Sequence, residues 1–251
     1  MVFITGDCHG DFSKLNTKYF PIQKEMTKDD YVIICGDFGG VWNVDTESRE
    51  ETYLMDWLED KPFTTLFVDG NHENFDRLNS YLVEEWHGGK VHKIRSSVIH
   101  LMRGQIYDIE GASFFTFGGA SSHDIDGGIL EPTDPDFQRR KKYLNREWIS
   151  YRINRISWWK EELANEEEMA EGKKNLAACD NKVDFIITHC AASSTQAMFS
   201  GGKYSTDIQT NYLEWVKQNV TFKKWYFGHY HKNMQCSDKE IMIYTNREQI
   251  L

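Results

Sequence analysis

The chain has 251 residues, 40% of them hydrophobic and 14% aromatic with only 4 prolines, which is the balance of a globular protein and excludes a disordered one. Its 39 acidic against 29 basic residues give a formal charge of −10, which excludes a general attraction to polyanions, so any nucleic-acid contact has to come from a local patch. No apolar run approaches the roughly 18 residues of a membrane span, and the opening run is too short for a signal segment, so a cytoplasmic protein without membrane contact is expected.

In chain order, residues 1–5, 31–35 and 64–68 are short apolar or β-branched runs, each followed by Gly or Asp-Gly, and are predicted as buried strands. Between them, residues 11–20 and 47–58 are patterned as helices; in the second, Tyr53, Leu54, Trp57 and Leu58 recur at helical spacing behind an acidic first turn. That alternation predicts an α/β fold. Residues 91–117 change to consecutive antiparallel strands at 91–94, 98–101, 105–109 and 112–117, with Glu110-Gly111 as a hairpin turn. Residues 121–182 open on a Gly-, Asp- and Pro-rich loop and then turn helical, with Ile149, Ile153, Ile156, Trp159 and Leu163 as an apolar stripe. We read them as a helical insertion or cap within a single domain spanning residues 1–251. The tail returns to strands at 184–188, 225–227 and 241–244, with a helix near 207–218 whose start, Thr206-x-x-Gln209, has the form of a capping box.

Five of the strand-like runs end in residues suited to metal or proton chemistry: Gly6-Asp7-Cys8-His9, Gly36-Asp37, Gly70-Asn71-His72-Glu73, His189, and Gly228-His229-Tyr230-His231. Ligand sites of layered α/β proteins form outside the carboxyl ends of strands, and a glycine there lets a ligand approach the backbone. A single Gly-Asp is an ordinary turn and a single histidine is an ordinary hydrogen-bonding group. Five such endings in one chain point to one site instead. Imidazole and carboxylate together suit manganese, iron or zinc, whereas an all-oxygen set suits magnesium or calcium. The seven candidates, Asp7, His9, Asp37, Asn71, His189, His229 and His231, exceed the needs of one ion; with one bridging carboxylate they supply four ligands to each of two divalent ions.

The ordered motifs resemble those of the calcineurin-like metallophosphoesterase superfamily, G-D-x-H, G-D, G-N-H-E, a lone His and G-H-x-H, over residues 6–231. The resemblance implies a sandwich of two β-sheets flanked by helices in an α/β/β/α arrangement. It implies Asp7, His9, Asp37 and His231 around one ion and Asp37, Asn71, His189 and His229 around the other, with Asp37 as the bridge and manganese as the foremost metal. The activity so implied is hydrolysis of a phosphate ester by attack of a hydroxide bridging the two ions. His72 resembles the histidine that protonates the leaving oxygen, and Glu73 a residue that orients a ligand or His72.

The second motif departs from the protein phosphatases of that superfamily, whose G-D-x-x-D-R-G provides an Asp for the catalytic histidine and an Arg for phosphate. Here Gly40 and Val41 stand in those places. A phosphodiester, a nucleotide or a small phosphomonoester is therefore expected in preference to a phosphoprotein. Trp42 reads as a packed loop residue, with base stacking as the alternative. His123 and Asp124, after Gly118-Gly119, read as surface residues that the loop could bring to the rim. The run Arg139 to Lys142, interleaved with Tyr143, Trp148 and Tyr151, reads as a solvated face balanced by Glu161, Glu162 and residues 166–168; a nuclease is the alternative it supports. Cys8, Cys35, Cys179, Cys190 and Cys236 show no C-x-x-C spacing and fit a reducing compartment; Cys8, Cys35 and Cys190 read as small buried hydrophobes, with redox sensitivity as the alternative. A metal-binding scaffold without turnover is the rival from a different class, and the oligomeric state stays open.

Overall fold

Strands buried on both faces carry continuous apolar runs, and a parallel pair needs a long crossover between its members. The computed structural model, which describes residues 1–251, follows that rule. Its strands are β1 (Val2–Thr5), β2 (Tyr31–Ile34), β3 (Thr64–Phe67), β4 (Val83–Trp86), β5 (Gly89–Arg95), β6 (Val98–Leu101), β7 (Gln105–Ile109), β8 (Ala112–Phe117), β9 (Ile129–Leu130), β10 (Arg152–Ile153), β11 (Phe185–Thr188), β12 (Lys224–Phe227), β13 (Met234–Gln235), β14 (Glu240–Met242) and β15 (Arg247–Gln249). Its helices are α1 (Arg49–Glu59), α2 (Phe75–Leu78), α3 (Phe137–Arg146), α4 (Glu166–Ala178), α5 (Ser193–Ser200) and α6 (Ile208–Asn219). None is long and apolar enough to cross a membrane.

One sheet has the order β15-β1-β2-β3-β6-β5-β4 and the other β13-β14-β12-β11-β8-β7; β9 and β10 form a separate parallel pair. The central strands of both sheets are parallel, and the edges beyond them are antiparallel. Side chains alternate accordingly. Val2, Ile4, Ile33 and Leu66 of the first sheet meet Phe114, Ile187 and Tyr226 of the second in a core between the sheets. Their neighbours Phe3, Val32 and Phe67 face Met55 and Leu58 of α1, while Phe115, Ile186 and Trp225 face Leu176 of α4 and Leu213 and Val216 of α6. Burying one such side chain is worth roughly 1.5–3 kcal/mol, and a one-residue slip would turn the whole set to the wrong face. The register is fixed by three cores at once, and the layers run helix, sheet, sheet, helix.

Four expectations need correction. The antiparallel run over residues 91–117 is divided between the sheets, because the chain crosses from β6 to β7 through a turn at Gly104 (φ +72). Residues 11–20 form no α-helix: only Ser13–Leu15 makes a 3-10 turn, and Phe12, Leu15 and Phe20 are buried from a loop. The apolar stripe from Ile149 to Leu163 is not helical, since Arg155 is left-handed (φ 58) and Ile156 faces solvent, leaving the β10 strand and a 3-10 turn at Lys160–Glu162. The cap of α6 is Asp207 with Thr210, one residue past the predicted pair.

Candidate metal centre

In-register parallel strands end level, so residues that follow them are delivered to one edge. Thr5 pairs with Ile34 and Ile34 with Phe67 in the first sheet, and Phe117 with Thr188 and Thr188 with Phe227 in the second. Asp7, His9, Asp37 and Asn71 therefore leave the first sheet where His189, His229 and His231 leave the second. The approach is close enough to require glycine at two points. A Cβ on Gly70 would lie 2.1 Å from Asp37 Oδ1, and one on Gly228 would lie 2.1 Å from Asp7 Oδ1. These motif glycines make room for the carboxylate of another motif.

Asp7, His9, Asp37 and His231 each offer a donor atom, and the four atoms lie within 4.8 Å of one another. His231 Nε2 is 3.1 Å from Asp7 Oδ2, His9 Nε2 is 3.5 Å from Asp37 Oδ2, and the two imidazole nitrogens are 2.9 Å apart. On the other side of Asp37, His189 Nε2 lies 3.2 Å from Asp37 Oδ1 and 3.2 Å from Asn71 Oδ1, and its ring centroid is 4.9 Å from that of His229. Asp37 thus presents one oxygen to each group. The mixed nitrogen and oxygen donors fit a borderline divalent cation such as manganese, iron or zinc.

Neighbouring backbone and side chains fix these donors. His229 N–H donates to both Asp7 oxygens at 3.0 and 3.1 Å, and His72 N–H donates to Asp37 Oδ1 at 2.8 Å. His189 Nδ1 is 2.8 Å from the Cys35 carbonyl, which assigns the proton to Nδ1 and leaves Nε2 as the donor atom. Burial alone would raise the Asp37 carboxyl, but the imidazoles of His189, His72 and His9 hold it well below the usual carboxylate range. The reciprocal attraction overcomes burial at His189 and lifts it to about 9. Burial, reinforced by the neighbouring imidazole of His189, pushes His229 well below its ordinary value; burial also lowers His9 and His72. Neutral imidazoles are the form that binds metal, so His189 and His231, the latter raised by its hydrogen bond with Asp7, would each give up a proton on binding one.

The ring of His72 packs 4.9 Å from that of His9 and 5.9 Å from that of Trp42, which also packs on Trp159. Trp42 is thus the packed loop residue its sequence suggested. Glu73 is buried and receives the N–H groups of Phe38 and Gly39, at 2.7 Å and 3.3 Å, so it orients the loop after Asp37 rather than His72 itself.

The loop after β8 reaches the site. Ser122 Oγ is 3.3 Å from Asn71 Nδ2, and His123, a surface residue, brings its Nε2 to 2.8 Å from His229 Nε2 and so reaches the cluster from the rim. Asp124 is ion-paired with Arg152, and the charges of both act on His72. Glu162 holds this loop through Ser122 N–H at 3.0 Å and Ser122 Oγ at 2.6 Å. Lys14 supports the other side, its ammonium donating to the carbonyls of Gly6, Asp7 and Tyr244 at 2.6, 2.7 and 2.9 Å. Sequence reasoning missed Lys14, Ser122, Arg152 and Glu162. The vacancy at Gly40 and Val41 was the one signal for Arg152, and it names no position.

Cys8, Cys35 and Cys190 are buried, and burial pushes the Cys8 thiol up to about 11 and the other two well above their usual value. They are packing residues. A sequence profile of the calcineurin-like phosphoesterases matches residues 1–233, which contain all five motifs. Lariat debranching enzyme A of Xenopus laevis is 34% identical over 102 aligned positions that cover 36% of this chain and 18% of the relative. The similarity spans less than a fifth of that relative's length.

Proposed function

The chain belongs to the calcineurin-like phosphoesterase family, the metal-dependent phosphoesterases, and on that premise we propose that it hydrolyses a phosphodiester, a nucleotide or a small phosphomonoester at a dinuclear centre. The observation that carries the reading is the convergence of Asp7, His9, Asp37 and His231 within 4.8 Å, with Asp37 turned also toward His189. Asp7, His9, Asp37 and His231 would hold one ion, and Asp37, Asn71, His189 and His229 the other, with manganese the first metal to try. Two divalent ions bound there supply a water that ionises near neutral pH and neutralise the charge of phosphate oxygens.

The chain's own residues supply the rest. Asp7 and Asp37 bring negative charge to the donor set, and backbone N–H groups hold both carboxylates in place. His72 gives its proton to the leaving oxygen as the ester P–O bond breaks. Burial lowers His72, and an anionic phosphate beside it acts in the opposite direction. Arg152, steadied by Asp124, takes the phosphate-gripping part for which residues 40 and 41 have no side chain suited. Residues 121–182 act as a cap that carries Arg152 to the rim.

The test is hydrolysis of p-nitrophenyl phosphate and bis(p-nitrophenyl) phosphate with added manganese and with chelator, comparing the wild type with Asp37→Asn. Metal-dependent turnover that the variant loses supports the enzyme, and the ratio of the two substrates separates monoester from diester preference. Two bound ions with no turnover on either compound would favour a scaffold that has kept the fold without the activity.

A further inference from the structure

Residues 136–152 carry features that the hydrolytic chemistry does not use. Helix α3 is anchored by a single buried residue, Leu144. Arg139 pairs with Asp136 at 2.5 Å and Arg146 with Glu147 at 2.7 Å, whereas Arg140, Lys141 and Lys142 make no ion pair. Of the acids that would balance them by sequence, Glu161 pairs with Arg155, Glu162 bonds Ser122 and Glu168 pairs with Arg103, and none of residues 166–168 pairs with Arg140, Lys141 or Lys142. In a chain of charge −10 this leaves three consecutive free cations within one turn of the helix, fanned around its axis.

Just beyond it, Trp148 is 93% exposed and is held out by a left-handed backbone (φ 56). A tryptophan in water is an unusual placement, since the residue is highly buried on average. Tyr143, half exposed, lies beneath Arg146 at 5.5 Å. Trp148 also walls a cavity of about 490 Å3 with Leu144, Ile149, Tyr151 and Asp124. Asp124 belongs equally to the rim of the metal centre, through its ion pair with Arg152 and through His123, its neighbour in the chain. Cations, a free aromatic face and the candidate reaction site therefore follow one another along the surface.

We propose that this face docks a single-stranded nucleic acid: Trp148 stacks on an unpaired base at the cavity, Arg140, Lys141 and Lys142 hold backbone phosphates, and a neighbouring phosphodiester reaches the metal centre. The proposal rests on the phosphoesterase reading above and names its substrate. A duplex offers no free base to Trp148, and a mononucleotide leaves most of these cations without a phosphate. Hydrolysis adds one water across one P–O bond. The water oxygen joins phosphorus and gives up a proton, the bond to the leaving sugar oxygen breaks, and that oxygen takes the proton of His72, which regains the one the water released by way of solvent, giving a phosphomonoester end and a free hydroxyl.

The experiment uses a fluorescein-labelled single-stranded oligonucleotide of about twelve nucleotides, within the length such surfaces engage. Binding is followed by anisotropy in chelator, so that it is read apart from turnover, and cleavage is followed with manganese. Trp148→Ala weakens binding roughly tenfold, the loss of one stacked base, while turnover of bis(p-nitrophenyl) phosphate stays at the wild-type level. Arg140→Gln/Lys142→Gln reduces the slope of log affinity against log salt by about 1.4, the share of two single-strand phosphate contacts. Wild-type affinity and salt slope in both variants, or no binding by the wild-type protein itself, overturns the proposal. Oligonucleotide binding without turnover of either the oligonucleotide or the chromogenic diester overturns the phosphodiesterase reading instead.

Discussion

Replacing Gly228 with alanine tests whether the close approach of the two sheets, more than the identity of the ligands, sets the metal centre. The added Cβ would meet Asp7 Oδ1 at 2.1 Å and the Cys35 carbonyl at 2.7 Å. Non-bonded contact needs roughly 3.5 Å, so Asp7 or the 228 backbone has to move by more than about 1 Å. A functional constellation tolerates about 0.5 Å. The φ of Gly228 is one that alanine also adopts, so overpacking is the cost, roughly 1–3 kcal/mol. At about 2–4 °C per kcal/mol in a chain of this size, the melting temperature should fall by about 2–12 °C and the protein should stay folded at 25 °C. The displaced Asp7 also loses the geometry of the His229 N–H bonds, at 3.0 and 3.1 Å. Bound metal, measured by plasma mass spectrometry, and turnover of the chromogenic esters should both drop well beyond what the stability change accounts for. A folded Gly228→Ala protein with wild-type metal content and turnover would refute the reasoning.

Three further outcomes are expected. Arg103→Met leaves the buried Asp69 carboxylate without the guanidinium that binds it at 2.5 and 2.9 Å, so stability should fall by about 3–5 kcal/mol, whereas Asp69→Asn/Arg103→Met should recover part of that loss; urea midpoints decide it. Arg152→Ala should raise KM for a phosphate ester about tenfold or more with a smaller effect on kcat, and Arg152→Lys should restore it only in part because an ammonium lacks the planar fork; equal falls in kcat and kcat/KM would instead place Arg152 in the transition state alone. Iodoacetamide at pH 8 should leave Cys8, Cys35 and Cys190 unmodified in the folded protein and reach them only in denaturant, which mass spectrometry of the intact chain reads directly.

The convergence of the candidate ligands was legible because their signals are local. Each of Asp7, Asp37, Asn71 and His229 follows a four-residue strand after one to three residues, so strand prediction and site prediction drew on the same few residues. The supports were not legible. Ser122 meets Glu162 across 40 positions, Asp124 meets Arg152 across 28, and Lys14 meets Tyr244 across 230. Nothing in the spacing of such residues distinguishes them from surface polar groups. The fold divides in the same way: the apolar runs mark the strands, but the crossing at Gly104 that assigns β7 and β8 to the second sheet follows from packing on Phe185 and Tyr226, which lie far along the chain. The stripe from Ile149 to Leu163 shows the converse error, in which helical spacing arose in a segment where Arg155 cannot be helical.

Backbone conformation explains why the motifs are so short. Of ten non-glycine residues with positive φ, four are candidate ligands: His9 (50), Asp37 (43), His229 (67) and His231 (51). The left-handed region costs such residues roughly 1–2 kcal/mol each, so these four conformations together oppose the fold by several kcal/mol. They persist because the adjoining groups over-determine them. Asp7 takes the His229 N–H, Asp37 takes the His72 N–H, Glu73 takes those of Phe38 and Gly39, and Lys14 donates to the successive carbonyls of Gly6 and Asp7. In that arrangement a carboxylate serves two purposes: one set of its lone pairs holds the loop of the next ligand while another faces the shared centre. Loss of Asp7 or Asp37 would therefore relax a strained loop as well as remove a candidate donor, so a replacement that offers only a comparable metal affinity should not restore the site.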